Sequence, residues 1–192
     1  MPERAELPIL TFTTPKMWET WLERNHAKSD GIWLRIFRKA SGQPTVTYAE
    51  ALDVALCYGW IDGQKRSHDD ASFLQRFTPR RARSVWSQVN TRHVERLATE
   101  GRMRPAGVRA VEEARADGRW DRAYVAHRDA EPPAGFMREL KKNAPAYAFY
   151  RTLSRANIFA IVYRLTTVKR AETRERWTRR IIEMLANGET FH

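Results

Sequence analysis

The residues best suited to chemistry lie between positions 60 and 90, where Trp60, Asp62, Arg76, Arg80, Arg81, Ser84, Trp86 and Asn90 fall within one short stretch. Guanidinium groups present planar forks of N–H donors that grip a phosphate or carboxylate bidentately. A serine that caps a helix sits beside free backbone N–H groups and the positive end of the helix dipole, which favour the same anion. Trp60 and Trp86 add flat apolar faces on which a ring or base can stack. These eight residues form the candidate ligand site, an anion and stacking site with no catalytic residue assigned. The alternative is structural: an Asp62–Arg76 ion pair and core tryptophans that fix a sheet against a helix, since charge networks mark function only probabilistically.

Two further sets of residues point towards nucleic acid. Trp33, Arg35, Phe37 and Lys39 share one face of an alternating segment and have the aromatic and cationic character of platforms that stack single-stranded bases. Near the C-terminus Arg170, Arg174, Arg176, Arg179 and Arg180 crowd one helical pattern, with Glu172 and Glu175 interspersed. Interspersed acids usually mark a solvated face with i,i+4 pairs, so nucleic-acid binding is the alternative rather than the favoured reading. Enzyme chemistry has little foothold. Cys57 ends an apolar helix, where a buried thiol is inert. His68 with Asp69 and Asp70 has no His-x-x-x-His partner for a metal. Neither a glycine-rich phosphate loop nor Gly-x-Ser-x-Gly occurs. No cofactor and no metal are expected.

The elements that must position these residues can be read from periodicity and caps. Leu10-Thr11-Phe12 predicts a short strand, and Thr14-Pro15 starts a helix whose Trp18, Trp21 and Leu22 form one stripe. Ile32 to Lys39 alternates as a strand, with Ile32, Leu34 and Ile36 on the core face. Thr47-Tyr48-Ala49-Glu50 is a capping box opening a second helix, whose inward stripe is Tyr48, Leu52, Ala55 and Leu56 and whose stop is Gly59. Trp60–His68 and Ser72–Thr78 predict a hairpin across Asp69-Asp70, with Trp60, Asp62, Gln64 and Arg66 on one face and Pro79 ending the second strand. Ser84 is expected to cap a third helix bearing Val85, Val89, Val94 and Leu97, and a fourth runs from Pro105 towards Gly118. The segment 129–135, with Pro132 and Pro133, is the expected linker between an α+β domain (1–128) and a helical C-terminal module (136–192) that docks on it. Beyond it the apolar spacings of Phe136 and Leu140, Phe149 and Leu153, Ile158 to Leu165, and Trp177 to Leu185 are all helical. The expected fold is therefore α+β, a small antiparallel sheet of about three to four strands packed with helices, plus the all-helical module.

The totals agree with a folded chain. Its 192 residues are 42% hydrophobic and 30% charged, far from disordered or membrane compositions. No apolar run approaches the roughly 20 residues of a spanning helix, so membrane insertion is not expected. Met1 to Glu6 lacks the pattern of a secretory signal. One cysteine excludes an intrachain disulfide, and the expected location is the cytoplasm. Thirty-four Lys and Arg against 23 Asp and Glu give a net charge of +11, a field attractive to nucleic acid or acidic ligands. Most of that excess is arginine, which a solvated surface can also carry without any partner.

The stretches Tyr48-Ala49-Glu50-Ala51-Leu52-Asp53, Cys57-Tyr58-Gly59-Trp60-Ile61-Asp62-Gly63-Gln64, Phe77-Thr78-Pro79-Arg80-Arg81 and Ser84-Val85-Trp86-Ser87-Gln88-Val89-Asn90 carry a specific resemblance. Together with Gly101-Arg102-Met103, Asp117-Gly118-Arg119-Trp120 and Glu172-Thr173-Arg174, they closely resemble the YdeI/OmpD-associated, or bacteriocin-protection, family of bacterial proteins along nearly the whole chain. The resemblance implies a role in envelope stress or antimicrobial-peptide tolerance and an association with an outer-membrane porin. It implies no reaction. The expectation is an uncharacterised stress-tolerance protein acting as a non-catalytic module that binds an anionic small molecule or a protein partner. Its oligomeric state is not specified by the sequence.

Overall fold

A computed structural model describes residues 6–125 and 130–191. The fold is α+β, and the chain divides into two units: Met1–Ser84 with Asn90–Trp120, and Val85–Val89 with Asp121–His192.

In the first unit, β1 (Ile9–Thr11) leads into α1 (Pro15–Asn25), where the Thr14 hydroxyl accepts from the Met17 N–H and Pro15 occupies the first turn. The chain returns as β2 (Ile32–Phe37), which pairs with β1 in parallel, Leu10 beside Leu34. A crossover through a helix brings a strand back in the same direction, so the sheet is mixed rather than purely antiparallel. β2 stops two residues short of the expected end, because Lys39–Ser41 closes into a 3-10 turn. Lys39 therefore leaves the strand face on which the sequence placed it.

α2 (Tyr48–Cys57) opens with the expected capping box: the Thr47 N–H donates to Glu50 Oε2 at 2.9 Å and the Glu50 N–H to Thr47 Oγ1 at 3.3 Å. Leu52, Ala55 and Leu56 face the core, but Tyr48 does not; it is 40% exposed, since its position in the first turn lies beyond the packed face. Gly59 follows the helix with φ +72°, the left-handed stop the sequence predicts. β3 (Trp60–Ser67) and β4 (Ser72–Pro79) then form the antiparallel hairpin, giving the order β1-β2-β4-β3. Pro79 is itself the last residue of β4, at the end of this inner strand opposite Trp60.

The hairpin holds a bulge. Asp62 pairs with Phe77 but Lys65 with Gln75, so Gly63 and Gln64 both stand against Arg76. One extra residue reverses the alternation beyond it. Trp60 and Asp62 share a face, whereas Arg66 lies on the opposite one, not with them as simple alternation implies. The buried Gln75 side chain holds the bulge, its amide donating to Gly63 O at 2.9 Å and Gln64 O at 3.3 Å.

The core lies on the sheet face that carries Ile32, Leu34 and Phe77, under α1 and α2. Trp18 is fully buried, packs at 5.8 Å from Phe77 and edge-on at 6.1 Å to Trp60, and its indole N–H donates to Ala51 O. Burying an aromatic of this size contributes about 2–3 kcal/mol. α3 (Gln88–Thr99) and α4 (Pro105–Ala116) complete this half. α4 approaches α2 so closely that a Cβ on Gly107 would stand 2.3 Å from the Cys57 carbonyl oxygen.

α3 begins three residues later than expected. Ser84 does not cap it; the Ser84 hydroxyl accepts from the Arg81 N–H and the Ser84 N–H donates to Arg81 O, which closes a turn instead. Val85 and Val89, expected in the inward stripe, are each 38% exposed, while Thr91, Val94 and Leu97 are buried.

The second unit holds α5 (Ala134–Leu140), α6 (Ala144–Tyr150), α7 (Arg155–Thr167) and α8 (Ala171–Ala186). Asn143 and Ser154 cap α6 and α7 through their side chains. Phe136, Leu140, Ile161, Leu165, Ile181 and Leu185 form its core, as the spacings predict. α5 starts directly after Pro133, inside the segment read as a linker, because proline is tolerated just ahead of a helix. Asp129, the first residue of that segment, lies outside the described residues.

Candidate functional site

On the sheet face opposite the tryptophan core, the first unit carries a hollow of about 870 Å³. Its strand residues follow from the register: Trp33 of β2 pairs with Arg76 of β4, and Ile61 of β3 with Thr78. Gly63 contributes from the bulge, Asp62 borders the hollow from the edge strand with its side chain alternating to the face of Trp60 and Phe77, and Arg80, Arg81 and Ser84 come from the segment after β4. Leu7 and Asp30 complete the wall.

The loop bearing the arginines is fixed by backbone. The Arg80 N–H donates to Gly59 O at 2.9 Å, and Arg81–Ser84 is the hydroxyl-closed turn described above. Arg119 ties that turn down, donating to Ser84 O at 3.1 Å while Asp117 holds its Nε at 2.6 Å.

Arg76 is the least ordinary member. Its Nε is buried and has no hydrogen-bond partner, and no ion pair is formed by it among the described residues. The guanidinium lies against the bulge: a Cβ on Gly63 would stand 3.0 Å from Arg76 Nε. The expected facing pair of Asp62 and Arg76 does not form, since Asp62 stands opposite Phe77 and alternates out of phase with Arg76. Asp62 instead accepts from the Tyr48 hydroxyl at 2.9 Å.

Of the eight candidates, the hollow brings together Asp62, Arg76, Arg80, Arg81 and Ser84. Trp60 is 1% exposed within the core, its indole N–H donating to His26 O, and it offers no stacking face to the hollow. Trp86 is 2% exposed and belongs to the second unit, where its carbonyl accepts from the Tyr124 N–H. Asn90 is half-buried on α3 and is not part of the lining. The aromatic in the wall is Trp33, assigned from sequence to a nucleic-acid platform; the cross-strand pairing with Arg76 was not readable before the register was known. Tyr48, which holds Asp62, was read as a core residue.

The platform face itself is internally satisfied. Arg66 lies 4.2 Å from the Trp33 ring centre and Arg35 4.5 Å from that of Phe37, with Arg35 also paired to Asp69 at 2.7 Å. In the last helix Arg174 donates to Leu165 O and Val168 O, satisfying the end of α7. Asp69 accepts from Arg35 and Ser72, and no group of three or more potential metal ligands occurs among the described residues.

A second hollow of about 520 Å³, in the second unit, sets Arg138, Arg174 and Arg179 against Glu139 and Glu175 over Phe136 and Leu165. Its charges are exposed and mixed, so it lacks a buried group awaiting a partner.

Residues 10–110 match a family model described as Domain of unknown function (DUF8412), and residues 129–188 match one described as Bacteriocin-protection, YdeI or OmpD-Associated. The chain belongs to the DUF8412 family and carries a YdeI/OmpD-associated segment at its C-terminal end. No curated protein and no solved structure matches it. The DUF8412 region includes Arg76, Arg80 and Arg81 of the hollow, and the YdeI/OmpD-associated segment holds α5 to α8. Of the stretches that carry the family resemblance, only Glu172-Thr173-Arg174 falls in the YdeI/OmpD-associated match; those from Tyr48 to Asn90 fall in the DUF8412 region.

Proposed function

We propose that this protein is a non-catalytic binding module, acting in bacterial stress or antimicrobial tolerance in the cytoplasm, whose first unit holds an anionic small molecule. The observation that carries the reading is Arg76: a guanidinium lining an 870 Å³ hollow, beside Arg80 and Arg81, with a buried Nε that has no protein acceptor. An unsatisfied buried donor costs about 1–3 kcal/mol, and a phosphate or carboxylate supplies the missing acceptors. The net charge of +11 adds a long-range attraction for anions. The bacteriocin-protection description of the second family match supports the physiological setting.

The test is titration of the full chain with inorganic phosphate, pyrophosphate and citrate, followed by melting and tryptophan fluorescence. Saturable binding should stabilise the fold by about 2.7 kcal/mol at a hundredfold excess over Kd. Arg76→Ala should abolish this stabilisation while melting cooperatively by itself. Unchanged melting and fluorescence with every anion would sink the reading. A protein partner for the YdeI/OmpD-associated segment remains compatible with it, because that segment lies outside the hollow's lining.

A further inference from the structure

The wall of the hollow is apolar as well as cationic, and the two characters lie side by side on one face of the sheet. Resting on the anion-binding reading above, we propose that the ligand is an amphiphilic anion, a phosphate or carboxylate head joined to an aliphatic body. The head lies on the Arg76 guanidinium and the body over Leu7, Thr78 and Ile61.

The strand register fixes which side chains share this face. Trp33 pairs with Arg76, and Thr78 stands two residues beyond Arg76 on the same strand, so all three point to the same side. Ile61 pairs with Thr78 ahead of the bulge, where the alternation is undisturbed, and joins them. Gly31 places Leu7 independently. A Cβ there would stand 2.7 Å from Thr78 Cγ2 and 3.2 Å from Leu7 Cδ1, so the two methyl groups meet over a position that carries no side chain. Leu7, Ile61 and Thr78 are each only half-buried, which leaves apolar surface in the hollow they line. Arg76 and Thr78 lie about 7 Å apart along the strand, so one small molecule reaches from the guanidinium to the methyl groups.

Each part of the wall asks for a different property. Arg76, Arg80 and Arg81 outnumber Asp30 and the bordering Asp62, so the charged end selects an anion. Inorganic phosphate would leave the methyl groups wet; an attached aliphatic chain covers them, at up to about fourfold in affinity per methylene fully buried. Trp33 argues against an aromatic body. It is 8% exposed and the Arg66 guanidinium lies 4.2 Å over its ring, so it offers no open face on which a base can stack. A sugar body fails differently, because its hydroxyl groups would lose water against methyl groups that cannot hydrogen-bond. Size agrees: 870 Å³ lies within the range of sites for drug-sized molecules.

Calorimetric titration of the full chain with inorganic phosphate, butyl phosphate, octyl phosphate, octanoate, octanol and ribose 5-phosphate, each below its micelle concentration, tests the inference. Butyl phosphate is expected to bind about tenfold more tightly than phosphate, octyl phosphate more tightly again at one molecule per chain, and octanol not measurably. Arg76→Met should abolish binding of every anion. Leu7→Ala combined with Ile61→Ala should leave butyl phosphate no tighter than phosphate on the same variant, and Ile61→Ser alone serves if the double variant fails to fold. Tight binding of octyl phosphate or of octanoate supports the inference, and the tighter of the two names the head. Equal affinity for phosphate and its alkyl esters overturns the inference while leaving the anion-binding reading intact. So does ribose 5-phosphate binding more tightly than butyl phosphate, or an alkyl gain that survives the loss of both Leu7 and Ile61. No binding of phosphate, octanoate or any ester overturns both, as does octanol binding as tightly as octyl phosphate.

Discussion

A single guanidinium, Arg76, concentrates the functional argument because its buried Nε lacks an acceptor while its neighbours Gln75 and Phe77 are well packed. Arg76→Met, which keeps the apolar stem, is expected to leave unfolding free energy within about 1 kcal/mol of the parent while removing phosphate binding, checked by denaturant melts beside titration. Asp53 behaves in the opposite way. It receives hydrogen bonds from His93 at 2.7 Å and Arg96 at 2.5 Å. Burial is the largest single influence on its carboxyl and acts upward, but the bonds from His93 and Arg96 together hold it below the usual carboxylate range. A carboxyl depressed on folding contributes stability above its unfolded pKa and loses it as pH falls through the folded one. Asp53→Asn should therefore destabilise by about 1–3 kcal/mol near neutral pH, and the gap from the parent should narrow below about pH 4. At this scale the sequence named five of the residues that line the hollow. It misplaced Trp60 and Trp86, because an indole's type and position do not reveal whether its ring faces the core; here Trp60 completes the cluster around Trp18.

Among the elements, the bulge in β3 has the widest effect. Simple alternation would put Asp62 and Arg66 on one face; one extra residue separates them and leaves Arg76 opposite two residues. Gln75 keeps this arrangement by satisfying two carbonyls that the ladder cannot reach. Gln75→Leu is expected to destabilise the chain by about 1–3 kcal/mol, since the two hydrogen bonds that hold the bulge are lost, as a denaturant melt would show. Gly63→Val should leave the fold intact yet weaken phosphate binding by about tenfold, because the new side chain occupies the place of the Arg76 guanidinium; parallel melts and titrations distinguish these outcomes. The capping box of α2, the proline start of α1 and the glycine stop at Gly59 were legible because each is a local contract between neighbouring residues. The bulge was not legible, since it depends on which β4 residue each β3 residue meets. The start of α3 was misread for a related reason: Ser84 satisfies Arg81 behind it rather than a helix ahead.

For the molecule as a whole, charge and family set the expectations. A net charge of +11 will draw nucleic acid at low ionic strength whatever the true ligand is. Retention of single-stranded oligonucleotides in a gel-shift series should vanish by roughly 200 mM salt with no preference for sequence; binding that persists would favour the nucleic-acid alternative. The α+β architecture and the helical end were readable because apolar spacing switches from alternation to the helical period near residue 80 and stays helical thereafter. The division itself was not, because Val85–Val89 joins the second unit from within the first half of the chain, and only long-range pairing such as Ser87 beside Tyr124 shows it.

The close approach of α4 to α2 falls at the backbone of Cys57, the last residue of α2. Its thiol is 4% exposed, and burial pushes its pKa up to about 11, so little reactive thiolate exists at neutral pH. Access for an alkylating reagent therefore requires the packing around this residue to open. The lone cysteine is thus a native clock for that opening: its modification rate in buffer reads how often the buried end of α2 is uncovered, with no engineered label.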